Sequence, residues 1–93
     1  MTAEAIINEV VRERLSRTRI LDVKVDEDVD GEGEPVFRVV VVYDEAGGAL
    51  DAHETVSLAR HARLRLSEAD ESRFPIFRFM SQGDARKLRA AAA

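Results

Sequence analysis

Asp26, Asp28, Asp30 and Gly31, within the segment DEDVDGEGE, reproduce the D-x-D-x-D-G opening of a calcium loop. In such a loop alternate carboxylates converge on a hard cation and the glycine permits the sharp turn. The pattern stops there, because the twelfth position counted from Asp26, where a bidentate glutamate is required, is Phe37. The flanking segments also carry the period of strands, whereas a calcium loop joins two helices. These residues read better as a solvated hairpin turn using Asp30-Gly31, and otherwise as an acidic arm facing a basic partner.

The histidines, His53 and His61, lie on one predicted helix, where a separation of eight residues turns them about 80° apart, too far for a shared metal. Cysteine is absent, which removes thiolate metal sites, disulfides and thiol nucleophiles. GEG sits among acids that repel phosphate, and GGALD has neither the G-x-G-x-x-G spacing nor the lysine of a phosphate loop. No catalytic, cofactor-binding or metal-binding residue is therefore assigned, and a non-enzymatic protein is expected.

The formal charge of -4 conceals a segregated pattern. Acids crowd the stretch from Asp22 to Glu34, whereas Arg12, Arg14, Arg17 and Arg19 precede it and Arg60, Arg63, Arg65, Arg73 and Arg78 follow it. Local fields rather than net charge then govern encounters. Arg60, Arg63 and Arg65 are the candidates for contact with a polyanion, with Phe77 or Phe79 available to stack bases if the sheet is exposed.

These residues need elements to position them. Ile6, Ile7, Val10, Val11 and Leu15 recur at helical spacing behind a capping Thr2, predicting a helix that ends near Thr18. ILDVKVD then alternates as a half-buried outer strand, with Leu21, Val23 and Val25 on one side. After an acidic hairpin turn at 26–34, Val36 to Tyr43 is β-branched or aromatic everywhere except Arg38, as a central strand covered on both faces would be. Asp51 and Glu54 form a capping-box pattern for a second helix with Ala52, Val56, Ala59, Ala62 and Leu66 inward, backed by Leu58. Phe74 to Met80 gives a third strand, a short helix is predicted from about Asp84, and residues 90–93 are expected to fray.

The whole of residues 1–93 thus forms one domain, an α+β two-layer sandwich of order α-β-β-α-β-α, with a three-stranded mixed sheet and its helices on one face. The longest apolar run, VVVVY, is far too short to span a bilayer and the start lacks the basic segment of a signal peptide. A cytoplasmic protein with no membrane partner is expected.

One feature of this layout demands a covering layer. Val36, Val40 and Val42 lie on one side of the central strand and Phe37, Val39, Val41 and Tyr43 on the other, while Phe74, Ile76 and Met80 oppose Phe77 and Phe79 on the third. Helices on one side leave large apolar groups on the other, a patch of several hundred Å² if wet. The terminal helix, a second copy of the chain or a different protein would cover it. The expected protein interface is the face of Phe37, Val39, Val41, Tyr43, Phe77 and Phe79.

In topology the chain is similar to KH type II and BolA-like domains, and RVVVVYDE followed by LARHARLRL, with Arg60 and His61, looks like the central strand and following helix of BolA. That resemblance implies a nucleic-acid-binding or regulatory domain. The segments VKVDEDVDGEGEPVFRVVVVYD and RFPIFRFMSQGDA resemble small bacterial αβ proteins of accessory or antitoxin type, which implies a protein partner. The leading expectation is a protein-interaction module, either self-associating as a homodimer or binding a heterologous protein; the nucleic-acid-binding domain is the alternative.

Overall fold

The computed structural model describes residues 1–92. Helix α1 spans Ala3–Arg14, and its first turn is closed by Thr2, whose hydroxyl accepts the Ala5 N–H at 3.1 Å. It stops at Arg14 rather than near Thr18, because Leu15 leaves the helical region (φ -106°, ψ 40°) to enter the core, where it is fully buried.

Strands β1 (Ile20–Val29) and β2 (Pro35–Tyr43) form an antiparallel hairpin. The strands run further than the sequence suggests, so the turn contracts from the expected 26–34 to residues 30–34. Asp30 accounts for this: its Oδ1 accepts the N–H groups of Glu32 and Glu34, each at 2.9 Å, and Gly33 takes the left-handed conformation (φ 82°) that closes the loop. At the far end, β1 bulges between Ile20 and Asp22, which sets Ile20 opposite Tyr43 and leaves Leu21 as the extra residue.

Helix α2 (Ala52–Glu68) carries the chain across to β3 (Phe74–Ser81), which pairs in parallel with β2. Asp51 caps α2 through Oδ1, accepting from His53 and Glu54; the Glu54 carboxylate makes no return bond, so the capping box is half formed. Helix α3 runs Gln82–Ala92, so the part of the expected frayed tail that is described, Ala90 to Ala92, is helical, and residue 93 lies outside the described residues. Strand order is β1-β2-β3, giving a three-stranded mixed sheet in an α+β fold, with β2 central.

Helices α1 and α2 pack together on one face of the sheet. Ile7, Val10, Val11 and Leu15 from α1 and Leu58, Ala62 and Leu66 from α2 meet Phe37, Val39 and Val41 of β2, all buried, with Val23, Val25, Phe77 and Phe79 around them. Helix α3 lies on the other face, where Ala85 and Leu88 approach Val42 and Met80. Burial of each large apolar side chain in such a core stabilises the fold by about 1.5–3 kcal/mol.

Candidate functional site

Side chains alternate across a strand, and the register therefore sorts every sheet residue. Phe37, Val39, Val41 and Tyr43 pair with Pro75, Phe77, Phe79 and Ser81, and all share the helix-facing side. The residues expected to form the protein interface are therefore on the wrong face for one. Phe37, Val39 and Val41 are buried, Phe77 and Phe79 are half-buried with their rings stacked 6.3 Å apart, and Tyr43 is half-buried at the end of β2. The reason is that α1 and α2 bring their own apolar stripes to this side, where the sheet offers its larger set of rings.

The open face is the opposite one. It comprises Val36, Arg38, Val40 and Val42 of β2, Phe74, Ile76, Arg78 and Met80 of β3, and Asp22, Lys24, Asp26 and Asp28 of β1. Helix α3 covers the end at Val42 and Met80. Towards the hairpin Phe74 and Ile76 are 44% and 38% exposed, with the Arg63 guanidinium set against the Phe74 ring, and Leu88 on α3 is 55% exposed. Between the hairpin tip and β3 lies a cleft of about 460 Å³ with Val36, Phe74 and Ile76 as its floor and Asp30, Glu34 and Pro35 at its edge.

Most charges near this cleft are already committed. Asp28 accepts from Arg38 on the facing strand, which holds its carboxyl below the usual carboxylate range. Glu27 pairs with Arg73, and Asp26 approaches Lys24 at 3.9 Å. Among the described residues Asp30, Glu32 and Glu34 take part in no ion pair. Of the alternate carboxylates of the calcium-like motif, Asp26 and Asp28 thus face separate cations and Asp30 is turned to the backbone of its own turn, and no cluster of histidine, cysteine and acids among the described residues is arranged to hold a metal.

Arg63 and Arg65 are drawn to separate partners, and Arg60 stands apart from both. Arg65 reaches across to α1, donating to Glu9 at 3.1 Å and Glu13 at 3.2 Å, and these carboxylates hold its guanidinium proton more tightly than usual. Arg63 lies 4.3 Å over the Phe74 ring. Arg60 is exposed and stands near His61. His61 is partly buried, and that burial, helped by the positive charges of Arg14 and Arg60, lowers its pKa. His53 is exposed near the start of α2.

The exposed open-face residues Phe74 and Ile76 had a signal in the sequence that pointed to them. Arg38 is the only polar residue from Val36 to Tyr43, and Arg78 the only charged one from Phe74 to Met80. Both mark the side that water reaches.

No family model matches the chain, and no curated protein or solved structure matches it either. Among the described residues no helix is long and apolar enough to cross a membrane.

Proposed function

We propose that the chain is a non-enzymatic protein-interaction module whose docking surface is the open sheet face at Phe74 and Ile76, with the buried Val36 beneath them. The observation that carries this is the exposure of Phe74 and Ile76 side by side on a strand with no neighbour along its outer edge among the described residues, next to a cleft that α3 does not line. Edge strands with apolar side chains are the places where sheets accept further chains, and natural monomers blunt them. Here β1, the other edge, is blunted by Asp22, Lys24, Asp26, Glu27 and Asp28, whereas β3 presents one arginine among apolar residues. Covering what remains exposed of Phe74, Ile76 and Leu88 contributes roughly 1 kcal/mol apiece, enough to tune an association that main-chain pairing anchors.

The test is a photo-crosslinking amino acid placed at Ile76, or as a control at Val56, which is 82% exposed on the outer side of α2 rather than inward as its spacing suggests, in cells that naturally make the protein. Ile76 should give a discrete crosslinked product that Val56 does not, identified by mass spectrometry as a second copy or another protein. The same diffuse labelling from both positions would overturn the assignment.

A further inference from the structure

The cleft at the hairpin base has an uneven chemistry that narrows what it accepts. Its floor is apolar, made by Val36, Phe74 and Ile76, while Asp30 and Glu34 stand at its edge with no cation paired to them among the described residues. Asp30 Oδ1 is occupied by two backbone N–H groups, so its negative charge is fixed in place by the turn. Glu34 is exposed on the same turn, and Arg63, which covers the Phe74 ring, is not among the residues lining the cleft.

From this charge pattern we infer that the cleft receives an arginine or lysine side chain from an extended segment of a protein partner added along the free edge of β3. This rests on the docking-face reading and specifies its partner. Arginine and lysine have the shape required: an apolar stem that lies on Phe74 and Ile76 and a charged head that reaches the carboxylates. A segment added to β3 directs alternate side chains onto the open face, so one of them passes over the cleft while its backbone pairs with the strand. An acidic segment would set its charges against Asp30 and Glu34, and a purely apolar one would leave both carboxylates beside a dry contact without a partner.

The experiment is a titration of the isotope-labelled full chain with two end-blocked octapeptides, one alternating arginine with valine and the other glutamate with valine, followed by amide chemical shifts. The arginine peptide should shift amides around Glu34, Val36, Phe74 and Ile76, and the glutamate peptide should not. Asp30→Asn combined with Glu34→Gln should weaken binding at least fivefold; asparagine keeps the oxygen that accepts the turn's N–H groups. Raising salt from about 50 to 300 mM should weaken it as well, since the Debye length shrinks from about 14 to about 6 Å. Equal response to both peptides, shifts located elsewhere, no response at millimolar peptide, or indifference to the double substitution would each overturn the inference. Ile76→Ser separates the two readings. If it abolishes binding while the double charge substitution does not, the docking face stands and the basic segment falls; if neither matters, both fall.

Discussion

The guanidinium carbon of Arg73 lies 4.4 Å from the centroid of the Phe37 ring. The same side chain donates through Nε and Nη2 to the two oxygens of Glu71, at 3.0 and 2.9 Å, and reaches Glu27 on β1. Arg73 thereby covers the hairpin end of the core and ties β1 to the segment entering β3. Arg73→Ala should lower the urea midpoint, since it loses both the cation–π contact and the charge-assisted fork. Arg73→Lys keeps the charge without the fork and should lower it by less. Urea midpoints at an unchanged slope measure both, and a midpoint unmoved in Arg73→Ala would show that this bridge does not stabilise the fold.

Phe77 and Ile76 are neighbours in sequence on opposite faces, which makes them a clean test of the sheet's orientation. Phe77→Ser removes a ring packed against α1 and α2 and leaves a hydroxyl there, so a loss of about 2–4 kcal/mol is expected. Ile76→Ser exchanges a side chain that is 38% exposed and should cost about 1 kcal/mol, clearly less than Phe77→Ser. Equal losses, or a larger loss at Ile76, in thermal or urea unfolding would mean that the helices lie on the other side.

The order of elements was legible because each period was sustained: Ile6 to Leu15 at helical spacing, Val23 and Val25 alternating with Lys24 and Asp26, and the β-branched run of β2. Which face the helices cover was harder to read, because β2 and β3 are apolar on both sides and parity alone is symmetric. The asymmetry lies in Arg38 and Arg78, and in the side of β1 that holds Val23 and Val25, which pair with Val41 and Val39. A hairpin register counted from Asp30 would have joined those valines to the side of Phe37. The bulge at Leu21 has no such signature, and the separation of Arg60, Arg63 and Arg65 depends on acids of α1 and on Phe74, which only tertiary packing brings near.

His61 gives a pH dependence whose sign is set by its surroundings. Burial and then the charges of Arg14 and Arg60 lower its pKa in the folded chain, so the unfolded chain binds the proton more readily. The stability is complete above the ordinary histidine value of about 6.5 and declines as the pH falls below it. Asp28, Glu45 and Glu71, each held below the usual carboxylate range by hydrogen bonds, contribute stability that disappears only as the pH falls through the lower carboxylate range. His61→Gln should therefore flatten the urea midpoint between about pH 7 and 5 and leave the steeper acid loss near pH 4 and below intact. An identical profile for the two proteins in the upper range would remove His61 as the cause.

The coverage of the open face by α3 hangs on Glu45. Its carboxylate accepts the N–H of Gly83, in the first turn of α3, at 2.9 Å, and that bond is the main reason its pKa is lowered. The Ser81 hydroxyl takes the next N–H, from Asp84, at 3.1 Å. A carboxylate there also opposes the positive end of the helix, which stabilises it further. Glu45→Ala should loosen this terminus, seen as faster hydrogen exchange across α3 if the helix opens locally. Amides of α1 and α2 should be unaffected, because their core lies on the other side of the sheet. Faster exchange in all three helices would mean that α3 opens only with the whole fold, and no change would mean that Leu88 and Ala85 hold it without the carboxylate.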